Sequence, residues 1–138
     1  MNRKVSKILS FMLAFTMLLS VASFTAAARA SAQLRSYGAS LVDAGNGDID
    51  IEFRVTGMGT MDELGVKTVK VYKSNGTLVK TFTYTSYDEM MGYDTGRHSG
   101  VVTYSGVEGQ RYYAVVTFYG KNSAGSDSRT YTTSTVTA

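Results

Sequence analysis

Cysteine, proline and tryptophan are absent from all 138 residues, and histidine occurs once. Without cysteine there is no disulfide, no thiolate metal site, no cysteine nucleophile and no lipid-modified cysteine to hold the chain to a membrane. The lack of proline excludes a proline-bearing wall-sorting motif. Thr132 to Ala138 carries neither a hydrophobic tail nor a basic stop, so no tether is expected there.

What is present begins with an export signal. Arg3, Lys4 and Lys7 precede an apolar run from Ile8 to Val21 that is interrupted only by Ser10, Thr16 and Ser20. Ala28-Arg29-Ala30 and Ala30-Ser31-Ala32 follow, and both fit the small-x-small pattern cut by a signal peptidase. A spanning helix wants about 20 apolar residues, so the run reads as a cleavable leader rather than an anchor. The expected organisation is a secretory signal peptide over residues 1 to 32, cut after Ala30 or Ala32, and one domain over 33 to 138.

Cleavage changes the charge argument. Arg3, Lys4, Lys7 and Arg29 leave with the leader, so that ten of the 14 basic residues remain against 11 acidic ones, a net charge of −1. The basic character of the whole chain belongs to the leader and supports neither a nucleic-acid nor an anionic-membrane partner. The remaining length suits one ordinary domain, able to bury roughly 60 to 70% of its unfolded surface without cross-links.

Beyond Gln33 the apolar pattern has period two, the signature of strands, in which successive side chains point to opposite faces. Ile49, Ile51, Phe53 and Val55 alternate with Asp48, Asp50, Glu52 and Arg54. Further strands are expected at Leu34 to Val42, Val66 to Val71, Leu78 to Tyr84, Val101 to Tyr104, Arg111 to Tyr119 and Arg129 to Val136, seven in all. Asn75-Gly76 supplies the positive φ that a tight hairpin demands between the third and fourth. Thr60 and Glu63 have capping-box spacing ahead of Gly65, which predicts one helical turn over Thr60 to Leu64. Ser86 to Gly100 reads as the one long loop. The expected fold is all-β, a seven-stranded antiparallel immunoglobulin-like sandwich, with a small closed barrel as the alternative.

The stretch Val107-Glu108-Gly109-Gln110-Arg111-Tyr112-Tyr113-Ala114-Val115-Val116, followed by Asn122-Ser123-Ala124-Gly125-Ser126, resembles the end of a fibronectin type III domain, a likeness confined to about the final third of the chain. Phe53 stands nearest to that family's second-strand tryptophan, Gly109 takes its usual proline position, and no Arg-Gly-Asp is present. The chain also resembles small stand-alone secreted β-sandwich proteins of Gram-positive bacteria, a likeness that implies only fold and compartment.

Candidate chemistry is sparse. His98 lies four residues after Asp94 and beside Ser99, yet no G-x-S-x-G elbow exists, and a polar loop histidine is ordinarily a solvated one. Asp88 and Glu89 are adjacent, so in an extended segment they point apart, whereas glycosidic hydrolysis needs two carboxyls facing one bond at about 5 to 9 Å. No catalytic residue and no cofactor are assigned. Asp43, Asn46, Asp48 and Asp50 offer the oxygen ligands calcium prefers but miss the EF-hand spacing; the plainer reading is a Gly-Asn-Gly hairpin. Tyr87, Met90, Met91 and Tyr93, in the long loop, are the candidate binding residues, because tyrosine offers apolar area at little entropic cost. The bland alternative is a lid folded onto the core. The chain is thus expected to be a non-enzymatic binding module for an extracellular protein or glycan, the alternative being a structural protein that associates through edge strands such as the threonine-rich last one.

Overall fold

A computed structural model describes residues 31–138; the expected leader, apart from Ser31 and Ala32, lies outside the described residues. The fold is all-β. Seven strands form one antiparallel sheet, in chain order β1 (Leu34–Gly45), β2 (Asp48–Lys73), β3 (Leu78–Thr83), β4 (Met91–Ser105), β5 (Arg111–Asn122), β6 (Gly125–Thr132) and β7 (Val136–Thr137), with a single 3-10 turn over Asp88–Met90.

The architecture follows from β2. Straight, its 26 residues would run about 85 Å at roughly 3.3 Å each, far beyond a domain whose radius of gyration should be about 13 Å. It therefore bends, and does so where the ladder with β4 jumps from Thr56↔Arg97 to Met61↔Thr95, a bulge that sets four residues of β2 against Gly96. Gly59, at φ 141, takes a conformation that L side chains rarely adopt.

The N-terminal half of β2 has β1 on one side and β4 on the other. Its C-terminal half has β3 on one side and β5 on the other, with β6 and then β7 pairing along β5. The sheet thus curls into a half-barrel around one core. Ile49, Ile51, Phe53 and Val55 pack in a common cluster with Val66, Val69, Val71, Phe82, Tyr112, Ala114, Val116 and Phe118. Tyr37 of β1 lies with its ring 5.2 Å from that of Phe118 on β5, and Tyr104 of β4 meets Tyr112 of β5 edge-on at 5.4 Å. Burial and the neighbouring Tyr112 hydroxyl hold the Tyr104 phenol above its ordinary pKa.

Several expectations are corrected. Thr60 to Leu64 is extended, not helical, because Met61, Glu63 and Leu64 enter the ladder with β4 and both Met61 and Leu64 are buried. A lone turn would leave most of those backbone groups unpaired. The two strands expected on either side of it are consequently one. Ser86 to Gly100 is mostly strand, since β4 starts at Met91. The last strand divides in two: at Thr133 the side-chain Oγ1 accepts the Ala114 N–H at 3.0 Å and donates to the Ser134 carbonyl at 3.0 Å, making a jog between β6 and β7.

Both expected hairpins form. Asn46 and Gly47, at φ 55 and 86, join β1 to β2 with the positive angles of a two-residue turn. Between β2 and β3 only Gly76 has positive φ, while the Asn75 side chain accepts the Thr77 N–H at 3.0 Å.

Candidate functional site

The four residues expected to bind do not share a surface. Met90 is fully buried and Met91 nearly so, Tyr87 is half-buried with its ring edge-on to Phe82 at 5.0 Å, and Tyr93, 60% exposed, alone faces solvent. The 3-10 turn aims Met90 inward, and Gly65 makes room for it: a Cβ there would sit 2.3 Å from the Met90 carbonyl oxygen. His98 fastens the turn from the other side, its Nε2 donating to the Glu89 carbonyl at 2.7 Å. The lone histidine is therefore half-buried and tied to backbone, not the solvated loop residue expected. The segment closes over the core.

The oxygen-rich run at the first hairpin is spread out in the same way. Asp43 Oδ1 accepts the Gly45 N–H at 2.9 Å, which shapes the turn, and Asp50 Oδ1 accepts the Thr103 hydroxyl at 2.7 Å across the sheet. Asn46 and Asp48 belong to the turn and the first residue of β2. Among the described residues no three histidine, aspartate or glutamate side chains gather as a metal centre would need.

A different site emerges on the three strands β1, β2 and β4. Their register sets Gly38, Arg54 and Ser99 in one row and Ser40, Glu52 and Val101 in the next. Strand alternation puts these six on the face opposite the core-facing Phe53. Arg54 and Glu52 are thus each flanked by small or short neighbours, and the hollow left beside them is a groove of about 420 Å³ that also takes in Tyr131 of β6.

The groove is open at its surface and firm beneath. Its floor is sheet in which β2 is paired on both sides, so no backbone N–H or C=O of β2 is free there. Arg129 and Asp127 form the ion pair of the described residues, and Arg54 and Glu52, each exposed, make none. The side chains of Ser40, Glu52, Arg54, Ser99 and Tyr131 make no hydrogen bond among the described residues. Glu52 is the one carboxylate in the lining, and no histidine accompanies it.

Sequence reasoning assigned Glu52 and Arg54 to a polar face but missed the groove, because pairing of β1 with β2 and of β2 with β4 joins residues up to 61 positions apart. One signal was legible: Gly38 in the middle of an otherwise ordinary strand, where glycine is costly and wants a reason. Comparison of the chain with protein-family models, with curated proteins and with solved structures finds no match in any of the three.

Proposed function

We propose that this is an exported, non-catalytic binding module of immunoglobulin or fibronectin type III kind, acting at or outside the cell surface through the β1–β2–β4 face. The observation that carries the reading is the groove: polar side chains held on paired strands, with no partners within the domain. Because the strands beneath are already paired, no backbone has to be ordered when a ligand binds. A single carboxylate and no histidine in the lining supply no acid–base pair.

Two features support the fold assignment. The strand neighbours, β1-β2-β4 in one half and β3-β2-β5-β6 in the other, follow the order of a seven-stranded sandwich whose second and third strands have fused into one. Tyr112, near the start of β5, accepts on its hydroxyl the N–H of Val107, five residues upstream, at 3.0 Å. That is the arrangement of the tyrosine corner of such domains.

Association through edge strands is less well supported. β6 pairs with β5 alone and lacks lysine and proline, but Asp127 and Arg129 lie opposite Gly120 and Phe118, facing inward. Inward charges are a device that keeps an edge from templating another strand.

Labelled protein applied to arrays of glycans and of extracellular proteins tests the proposal. Binding is expected to be lost in Gly38→Val, which puts a branched side chain over the bare backbone at the groove. Binding to neither array, or binding that Gly38→Val leaves intact, would refute it.

A further inference from the structure

We infer that the ligand of this groove is an uncharged saccharide, held between Arg54 and Glu52 over the bare backbone of Gly38; the inference rests on the binding-module reading above.

Gly38 is the starting point. Glycine inside a strand sacrifices conformational entropy and packing, and it is retained for a positive φ, a bulge, close packing or the close approach of a ligand. The first three do not apply. Gly38 is not among the positive-φ glycines, it pairs in register with Arg54 beyond the bulge at Leu34 to Ser36, and a Cβ built on it meets nothing within 4 Å. Close approach of a ligand remains, and Gly38 lines the groove.

The chemistry of the walls selects the class. One guanidinium and one carboxylate cancel in net charge, so the lining attracts neither a polyanion nor a polycation. Arg54 can only donate and ionised Glu52 can only accept, whereas Ser40 and Ser99 do either. A sugar hydroxyl donates and accepts at once, so vicinal hydroxyls satisfy both side chains together. Tyr131 adds an aromatic surface for the C–H face of the ring. A peptide recognised by strand addition would lie along the outer edge of β1 or of β4, each paired to β2 alone, and not over the face from which Arg54 and Glu52 project. The volume lies within the roughly 300–1,000 Å³ of small-ligand sites.

The test is a titration of the isotope-labelled protein with maltotriose, cellotriose and diacetylchitobiose, followed by amide chemical shifts and repeated on Gly38→Val, Arg54→Ala and Glu52→Gln. At least one saccharide is expected to move the amides of Gly38, Ser40 and Ser99, with affinity reduced roughly tenfold or more in each variant. Cooperative thermal unfolding at or above the wild-type temperature in Gly38→Val, and near it in the other two variants, separates this from misfolding. If no saccharide moves those amides while array binding to a protein is still lost in Gly38→Val, the saccharide inference is overturned and the binding face stands. If array binding is indifferent to Gly38→Val as well, both fall.

Discussion

Gly65→Ala isolates the device that closes the core. Gly65 lies within β2, paired to Met91 on one side and Tyr119 on the other, and its φ is ordinary, so alanine carries no conformational penalty there. The obstacle is steric and made of backbone: the new Cβ would lie 2.3 Å from the Met90 oxygen and 2.8 Å from Met91 Cα. Neither can rotate away. Relief requires the 3-10 turn to move as a unit, against the burial of Met90 and the bond from His98 to the Glu89 carbonyl. Overpacking of this kind costs about 1–3 kcal/mol. Lifting Met90 off the core would cost about 1.5–3 kcal/mol instead. Against either stands a gain of roughly 0.5–1 kcal/mol for replacing a strand glycine. The difference is a net loss of up to about 2.5 kcal/mol, centred a little above about 1 kcal/mol, which lowers the melting temperature by roughly 4–8 °C per kcal/mol. Urea unfolding should show a reduced midpoint with unchanged slope. Gly38→Ala, with nothing within 4 Å of its Cβ, is the control and should gain about 0.4–1 kcal/mol. Equal or greater stability in Gly65→Ala would refute the account of how Met90 is seated.

Thr133→Val removes the hydroxyl that accepts the Ala114 N–H at the buried jog between β6 and β7, and urea unfolding should register a loss of about 1–3 kcal/mol. The Ser31 hydroxyl, and after it the Arg129 guanidinium, hold the Asp127 carboxyl below its ordinary range. The native state therefore binds that proton later than the unfolded chain does; the stabilisation is present above about pH 4 and is lost as the pH falls through the depressed value. The acid-induced fall in urea midpoint should be smaller in Asp127→Asn and in Ser31→Ala. At the alkaline end the raised Tyr104 pKa works in the opposite sense, stabilising below about pH 10 and losing that contribution as the pH climbs further, so Tyr104→Phe should flatten the alkaline limb of the stability curve. The Ser31 Oγ also accepts the Leu34 N–H at 2.8 Å, so Ser31 belongs to the folded domain. If the proposed leader is cut, intact-mass measurement is expected to find a chain that starts at Ser31, and one that starts at Gln33 would contradict this.

Local pattern carried much of the fold. Alternation of Ile49, Ile51, Phe53 and Val55 with charged residues marked a strand with one buried face, and the Asn46-Gly47 and Asn75-Gly76 pairs marked both hairpins, because these depend on side-chain period and on φ preferences a few residues wide. Legibility failed where neighbours far along the chain outvoted local preference. Thr60 to Glu63 has the spacing of a helix start, but β4 pairs with Met61 and Glu63 and β5 with Glu63, and the segment became the bend of a 26-residue strand. Gly-rich Met91 to Gly100 has weak strand propensity and is strand because β2 lies beside it.

The sequence by itself determined the all-β class, the polar face of Glu52 and Arg54 and the turns, since each is set by covalent neighbours. Only the tertiary structure decided that Met90 and Met91 lie inside, that His98 serves the backbone, and that Gly38, Ser40 and Ser99 stand beside Arg54 and Glu52. A groove is a relation between strands, and its register is fixed by burying Phe53 and its neighbours on the other face of the same sheet.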